Sequence, residues 1–308
     1  YSSEYEIFMN LPGNDALSLI LQRLRLKAEV YVHADFCGTW AVDTSGSRKV
    51  PFHLVERGKS WLHMPEEAPR LLTAGDLVIF PHDHAHQLCN QESLPAQVVY
   101  NQIPEPDPAL PMTTLACGSF EFASQSLWPL LDSLPKVIVL DLTDTHRLGQ
   151  THSLMQLMIS ELQQGHAGSK AVVDQLSAAL FVHVLRSQIE QGFAQGVLAA
   201  LFDPQIGQAL SLIHQQPAQD WSVERLAREI GMSRSVFSER FRDLAGKTPM
   251  RYLAEWRMRE ASDLLSSTDD SIAQIAEACG YNSEVAFRKA FRSVTGQTPG
   301  AVRKQSRL

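Results

Sequence analysis

The chain has 308 residues, of which 44% are hydrophobic, and this is enough material for two domains with cores of their own. Its formal net charge of −7 is unevenly spread: residues 204–308 hold 15 Lys and Arg against 12 Asp and Glu, and residues 1–203 hold 12 against 22. The balance of +3 in the C-terminal part and −10 in the remainder excludes the acidic part as a polyanion-binding surface.

Cysteines and apolar runs bear on the compartment. No CxxC pair, signal-peptide pattern or long apolar run is present, and the cysteines are scattered at Cys37, Cys89, Cys117 and Cys279. These features favour a reducing cytoplasm and no membrane partner. Residues 1–8 precede Met9 and are left out of the predictions, so the first predicted element is a short helix from Asn14 to about Lys27.

From Val30 to about Leu140, short β-type runs alternate with Gly, Pro and Asp turns. This pattern predicts a small sandwich or barrel. The predicted strands are Glu29–His33, Val50–Glu56, Leu77–Phe80, Ala96–Tyr100 and Val137–Leu140.

One segment of this region has a distinctive spacing. Gly75-Asp76 is followed by an apolar strand and then by Pro81, Asp83, His86 and Asn90. The segment resembles the second motif of the cupin barrel, with Asp83 in place of that motif's second glycine. The stretch from Phe52 to Gly58 occupies the place of the first cupin motif. The resemblance implies a cupin-like sensor domain, which we place at residues 9–145.

Histidines in this region invite a metal hypothesis. His53 and His86 would sit on neighbouring strands of the barrel with Cys117 near them, and imidazole with thiolate suits zinc or another transition metal. Metal-binding cupins, however, generally supply an HxH pair and a glutamate from the first motif, which the stretch from His53 to Glu56 does not. We therefore expect no cofactor, and the alternative role for these side chains is hydrogen bonding within a pocket or loop.

Large side chains of the barrel are candidate contacts for a small-molecule effector. Trp40 and Trp61, together with His53 and His86, are the predicted effector-binding residues. The alternative is that the aromatic side chains belong to the core, because a packed barrel interior also needs large side chains.

Residues 146–203 are predicted to be a helical dimerisation and linker segment. Helices are expected at Thr151–Gln164 and Ser169–Gln191, and Gly192–Asp203 is expected to be a loop or short linker. The second helix carries a long apolar stripe. It either packs on the barrel or forms a homodimer interface.

Residues 226–299 contain one small unit twice. Phe241-Arg242 and Gly246-Lys247-Thr248-Pro249 are matched, fifty residues on, by Phe291-Arg292 and Gly296-Gln297-Thr298-Pro299. In each copy a first helix follows Ser222 or Ser271 and ends at Gly231 or Gly280, where glycine permits a tight turn. A second helix follows, capped by Ser233 in the first copy and by Asn282 or Ser283 in the second.

Each second helix buries two phenylalanines four residues apart, so its opposite face is free to meet a partner. Arginine and lysine on such a face can contact guanine or phosphate, and serine or glutamate can contact other bases. The alternative is a solvated charged face. The candidate DNA-binding residues are Arg234, Ser235, Ser238, Glu239 and Arg242 in the first copy and Glu284, Val285, Arg288, Lys289 and Arg292 in the second.

A helix from Thr248-Pro249 to about Ser266 is predicted to join the two copies. At about 1.5 Å per residue it would span roughly 27 Å, close to the ~34 Å between successive major-groove faces on one side of a duplex. The motifs of residues 205–304, including Gly231-Met232-Ser233, Gly280-Tyr281 and both Thr-Pro pairs, resemble the DNA-binding domain of the AraC/XylS family of bacterial transcription regulators. The resemblance implies two recognition helices that enter adjacent major grooves.

The predicted fold class is α+β, with a cupin-like β-barrel, a helical dimerisation segment, and an all-α domain at residues 204–308 that holds two helix-turn-helix units. The predicted function is a cytoplasmic, sequence-specific transcription regulator that binds double-stranded DNA, dimerises and responds to a small-molecule effector. If it is an activator, it also contacts RNA polymerase; the sequence leaves activation and repression open. It is not expected to be an enzyme. The alternatives are a cupin isomerase or dioxygenase, which would need a complete three-ligand metal set, and a helix-turn-helix used only for protein contacts.

Overall fold

The computed structural model describes residues 17–18, 26–96, 99–105, 107, 109–122, 128–192 and 196–305. The chain forms two compact units. The first, here called the sheet unit, holds residues 25–123 and 134–194. The second, here called the helical unit, holds residues 195–308 and also the segment 124–133, which lies between two strands of the sheet unit in sequence.

Two antiparallel sheets form the body of the sheet unit. The five-stranded sheet has the order β1 (Leu26–Cys37), β8 (Met112–Phe122), β3 (Val50–Arg57), β6 (Asp76–Ile79) and β9 (Ile138–Asp141). The four-stranded sheet has the order β2 (Ala41–Val42), β7 (Gln87–Cys89), β4 (Lys59–His63) and β5 (Arg70–Thr73). This sheet-rich architecture agrees with the predicted cupin-like barrel.

The β3 strand lies between β8 and β6, and its residues from Val50 to Val55 are all buried. A strand whose side chains are buried on both faces needs a packing layer on each side of its sheet. On one side this layer is the interior of the sheet unit. A hairpin of two helices, α2 (Thr145–Gln164) and α3 (Ser169–Glu190), packs against the sheet, with the Phe181 ring 6.0 Å from that of Phe120. The apolar stripe of α3 is therefore used at least in part for packing within the chain.

Helices make up the second unit. In chain order they are α1 (Trp128–Leu131), α4 (Gly196–Phe202), α5 (Pro204–Gln215), α6 (Val223–Glu229), α7 (Arg234–Ala245), α8 (Pro249–Ser267), α9 (Ile272–Ala278), α10 (Glu284–Thr295) and α11 (Pro299–Gln305). The α1 helix, from the 124–133 segment, packs against α4, and α4 packs against α7. Among the described residues no single helix is long and apolar enough to cross a membrane, and α4 with α5 reaches that length only as a pair bent by 103°.

Two element predictions are wrong. Residues 196–202 form a helix rather than a loop, because Val197, Leu198 and Leu201 are buried on one side of it. The Ala96–Tyr100 run forms no strand over its described residues, and only an isolated bridge joins Tyr100 to Ala41. The predicted helix from Asn14 to Lys27 lies mostly outside the described residues, and its last two positions belong to β1.

Candidate nucleic-acid interface

Both copies of the repeated unit begin their helices with the same chemistry. The Ser222, Ser233, Ser271 and Ser283 hydroxyls accept hydrogen bonds from backbone N–H groups three residues on, at 3.2–3.4 Å. Each bond satisfies a donor that the first helical turn leaves without a partner. The predicted N-caps Ser222, Ser233 and Ser271 are confirmed, and of the two candidates for the last helix Ser283 rather than Asn282 is the cap.

The turn within each unit is the same. Gly231 and Gly280 have φ angles of +69° and +76°, in the left-handed region that glycine adopts without strain. In both copies the next residue donates its backbone N–H to a carbonyl five residues back, from Met232 to Ala227 and from Tyr281 to Ala276, at 2.9 Å. The one-residue insertion after Gly280 thus lies beyond the turn, which it leaves unchanged.

The second helices of the two copies, α7 and α10, are oriented by their phenylalanine pairs. Phe237 and Phe241 in α7, and Phe287 and Phe291 in α10, are fully buried, and in both pairs the ring centroids lie 5.7 Å apart. Burying this face turns the opposite one outward. The outward residues at helical spacing are Ser235, Ser238, Glu239 and Arg242, here called the first stripe, and Val285, Arg288, Lys289 and Arg292, here called the second stripe.

The two stripes differ in charge. The first holds one arginine and one glutamate, whereas the second holds three basic side chains and no acidic one. In the second stripe the three basic side chains line an open groove of about 500 Å³ with Ser293, Thr298 and Pro299. A basic groove of this kind suits a phosphate-rich partner.

The residues at the helix starts are held by ion pairs. Arg234 Nε lies 2.9 Å from a carboxylate oxygen of Glu224, on the preceding helix. Arg288 Nε and Nη2 both lie 2.7 Å from Glu284 Oε1, one turn earlier on the same helix. Ser238, in the first stripe, donates its hydroxyl to the Arg234 carbonyl at 2.8 Å. The predicted residues are thus all on or beside the outward faces.

The α8 helix packs against both copies of the repeated unit. In its first half, Tyr252 contacts Phe241 of the first copy, and Trp256 stacks on His214 of α5, the helix before that copy. Its second half joins the core of the second unit through Met258, Ala261, Leu265 and their neighbours. Both copies of the repeat are therefore attached to one rigid helix of 19 residues.

A further attachment, between the joining helix, the turn of the second copy and the segment that precedes the first copy, was not predicted from the sequence. Arg257, on α8, donates to the Pro217 carbonyl at 2.7 Å and to the Gln219 carbonyl at 2.9 Å, and its guanidinium lies 5.7 Å from the Tyr281 ring. Residues 217–219 precede the first unit, and Tyr281 lies in the turn of the second. The only sequence signal was an arginine in the middle of the joining helix, and it did not identify these distant carbonyls.

The predicted effector and metal residues of the sheet unit have different environments. Trp40 and Cys117 belong to the buried hydrophobic core, and Trp61 is partly exposed on β4. His53 and His86 come together with their Nε2 atoms 3.0 Å apart, and both contact the Thr44 hydroxyl, at 3.2 and 3.0 Å. Thr44 was not among the predicted residues, since it lies in the connection between β2 and β3 with no motif around it.

Cys117 does not complete a metal site with the two histidines. Among the described residues, no three His, Cys, Asp or Glu side chains are grouped so that they could hold a metal ion. Burial raises the pKa of the Cys117 thiol to about 12, so the thiolate that a metal requires is disfavoured. Burial, and then the neighbouring His86, hold the pKa of His53 well below its ordinary value. These residues fit a neutral hydrogen-bonded cluster.

The chain is similar to known proteins over nearly its whole length. A family model described as cupin matches residues 15–190, and one described as helix-turn-helix domain matches residues 226–305. An HTH-type transcriptional regulator of Haemophilus influenzae is 32% identical over 307 residues, covering 96% of this chain and 100% of that protein. An AraC-like transcription regulator of Streptomyces antibioticus is 30% identical over 302 residues, covering 95% and 98%.

Solved structures include similar C-terminal domains. The DNA-binding domain of AdpA, crystallised in complex with a target DNA, is 33% identical to this chain with a TM-score of 0.33. The likeness covers 34% of this chain and 95% of that one.

Proposed function

The chain belongs to the AraC/XylS family of DNA-binding transcription regulators, with an N-terminal cupin domain, and on this premise we propose that α7 and α10 enter successive major grooves of one DNA duplex. The observation that carries the proposal is the duplicated outward stripe, on two helices attached to one joining helix. At about 1.5 Å per residue, the 19 residues of α8 span roughly 28 Å, which is close to one turn of DNA.

Arg242 and Arg292 provide the matched test, because they occupy the same position in the two copies and both are exposed. We expect Arg242→Gln and Arg292→Gln each to weaken binding to a site selected from random duplexes. A hydroxyl-radical footprint of the unaltered chain should show two protected segments about ten base pairs apart. Lys170→Gln, an exposed change in the sheet unit, is the control and should leave binding unchanged. A single short footprint would contradict the proposal.

We propose further that the protein dimerises through the α2–α3 hairpin. Leu157 is half exposed on α2, and Val172, Leu176 and Ala179 form a partly exposed stripe at spacings of four and three residues on α3. An apolar stripe at this spacing suits packing against a second helix pair. We expect Leu157→Asp together with Val172→Asp to convert a dimer to a monomer in sedimentation experiments. Val236→Asp, equally exposed but on α7, should leave the dimer intact.

Control by a small-molecule effector in the sheet unit is the third element of the proposal. An effector would shift the population of two arrangements of the dimer or of the connections to the helical unit, and a coupling of about 1–3 kcal/mol suffices. Two stretches of chain are available to carry the coupling, the one that enters α4 and the 124–133 segment that packs α1 on α4. Candidate effectors that left DNA affinity, dimerisation and transcription all unchanged would contradict it.

We assign the sheet unit a sensing role rather than a catalytic one, and the cytoplasm, where bacterial DNA lies, as the site of action. The support is the neutral His53–His86 cluster, which lacks a third ligand among the described side chains. As an activator the protein would also contact RNA polymerase at the promoter. Transcription in vitro with purified polymerase tests this: an increase that depends on the selected site supports activation, and a decrease identifies a repressor.

A further inference from the structure

An exposed valine stands on the outward face of α10. Val285 is 77% exposed, the largest fraction among the bulky apolar side chains of the described residues. Neighbouring members of the second stripe are charged. An apolar group on a helix that enters a major groove has one apolar partner there, the C5-methyl group of thymine. Val285 therefore has the position and the chemistry to contact a thymine.

Arg288 stands three residues after Val285. In a helix this is a rotation of about 300° and a rise of about 4.5 Å, so both side chains lie on one face. Base pairs are stacked about 3.4 Å apart, and the two side chains therefore reach neighbouring base pairs. Arginine makes its best base contact with the N7 and O6 atoms of guanine.

Glu284 fixes the direction of the Arg288 guanidinium. The Nε and Nη2 atoms on one edge both lie 2.7 Å from Glu284 Oε1. The outer end of the guanidinium, with Nη1 and the remaining Nη2 hydrogen, points away from Glu284. Its two N–H groups can donate parallel hydrogen bonds to the N7 and O6 atoms of guanine. A carboxylate beside DNA would otherwise repel phosphates, so its place here is explained by its bond to Arg288.

We propose that α10 recognises a thymine through Val285 and a guanine through Arg288 in neighbouring base pairs, with Glu284 as the residue that positions Arg288. The proposal rests on the proposed entry of α10 into a major groove. The equivalent positions of α7 hold Ser235 and Ser238, which have neither the methyl groups nor the reach for this pair of contacts. The thymine–guanine step thus belongs to the half-site bound by α10 alone.

The first test removes the methyl group from the DNA. A binding site is selected from random duplexes with the full chain, and each thymine is then replaced singly by deoxyuridine. We expect one position at which the loss of the methyl group weakens binding about fourfold, the effect of one buried methylene-sized group. In Val285→Ala that position should become insensitive to the replacement. The control is Val294→Ala, nine residues on and about 180° around the helix, which should keep the sensitivity.

The second test removes the guanine acceptor. Replacing the neighbouring guanine by 7-deazaguanine removes the N7 acceptor and keeps O6, so it should weaken binding of the unaltered chain by part of the about 5- to 150-fold that a whole bidentate contact contributes. Glu284→Gln should reduce this discrimination while leaving binding to random DNA equal or tighter, because a negative charge is removed. A residue needed only for folding would weaken both kinds of binding together.

The outcomes separate this inference from the proposed function. Failure to enrich any sequence from the random pool would overturn the proposed function. An enriched site whose methyl sensitivity is the same in Val285→Ala as in the unaltered chain would overturn the thymine contact alone. Equal discrimination of 7-deazaguanine before and after Arg288→Gln would overturn the guanine contact.

Discussion

His53 and His86 form a buried pair in which the hydrogen bonds define the protonation state. The Nδ1 atom of His86 lies 2.7 Å from the His84 carbonyl, which can only accept, so Nδ1 carries the proton and the Nε2 lone pair faces His53. His53 then donates from its own Nε2 toward His86 or Thr44. A further proton on either ring would give it a positive charge, which burial disfavours, and the pKa of both rings is lowered accordingly.

Acid should therefore destabilise the sheet unit. In the unfolded chain these histidines bind protons near their ordinary pKa of 6.5, whereas in the folded chain they resist protonation. The unfolded state then binds more protons as the pH falls below 6.5, and stability is lost at about 1.4 kcal/mol per pH unit for each proton taken up. Denaturant unfolding at several pH values measures the free energy of unfolding as a function of pH. In His53→Gln this free energy should fall less steeply below pH 6.5. His166→Gln, exposed in the turn between α2 and α3, should keep the full slope.

Two arginines of α7 should behave differently although they stand two residues apart. Arg240 Nη2 lies 2.6 Å from Asp203, the residue that caps α5, and Arg240 also bonds Gln205. Arg242 instead belongs to the outward stripe. We expect Arg240→Gln to lower stability by about 0.2–1 kcal/mol, the range for an exposed ion pair, and to leave affinity for DNA nearly unchanged. Arg242→Gln should do the reverse, and thermal unfolding with titration of selected DNA distinguishes the two.

At the level of elements, the two turns of the repeat are alike in conformation and unlike in surroundings. A Cβ atom on Gly231 would meet nothing within 4 Å, whereas one on Gly280 would lie 2.6 Å from the Ala218 carbonyl oxygen. The second turn is packed against the backbone that precedes the first unit, beside the carbonyls held by Arg257. Gly280 is therefore needed for two reasons, its left-handed φ angle and the absence of room for a Cβ atom.

The substitution Gly231→Ala should cost about 1–2 kcal/mol, the strain of a left-handed alanine. Gly280→Ala carries the same strain and also displaces backbone, which adds about 1–3 kcal/mol. Hydrogen exchange of the amides in α9 and α10 should accelerate strongly in Gly280→Ala, and the amides of α6 and α7 should respond less in Gly231→Ala. Equal responses would show that the Ala218 contact does not hold the second unit in place.

The sequence predicted the elements of the helical unit well, because serine caps, turn glycines and phenylalanine spacing are local signals. It did not predict α4, whose seven residues are helical because Leu198 and Leu201 are buried by packing against α1 and α7. A short apolar stretch such as this one carries no local sign of such partners. The same limit explains the Ala96–Tyr100 run, whose described residues pair with another strand only through the bridge from Tyr100 to Ala41.

Across the whole molecule, positive charge suited to DNA is concentrated on one of the two recognition helices. The second stripe carries three basic side chains, and the first carries one arginine offset by Glu239. The period of an α-helix is enough to predict that these side chains lie on the exposed faces of α7 and α10. The ion pair of Arg240, beside the first stripe, could not be predicted, because its partner Asp203 lies 37 positions away in the chain. The assignment of Trp40 to the core likewise depends on how completely side chains fill the barrel.

This asymmetry predicts unequal salt dependence. Lys289→Gln with Arg292→Gln should make the plot of log affinity against log salt shallower by about 1.8, at about 0.9 for each phosphate that is no longer neutralised. Arg242→Gln should make it shallower by about 0.9 at most. Titrations of the selected site at several salt concentrations measure both slopes. Equal changes would contradict the view that the second copy supplies most of the electrostatic affinity.

The 124–133 segment has a consequence for the order in which the protein is made. A ribosome completes α1 before residues 134–194 exist, and at about 5–20 residues per second its partner α4 is complete roughly 4–14 s later. During that interval Leu130 and Leu131, which are buried in the finished molecule, have no α4 to cover them. A fragment that begins at residue 195 has the opposite defect, because it presents α4 without α1. The DNA-binding half of this regulator therefore becomes complete only when both stretches of chain have been synthesised.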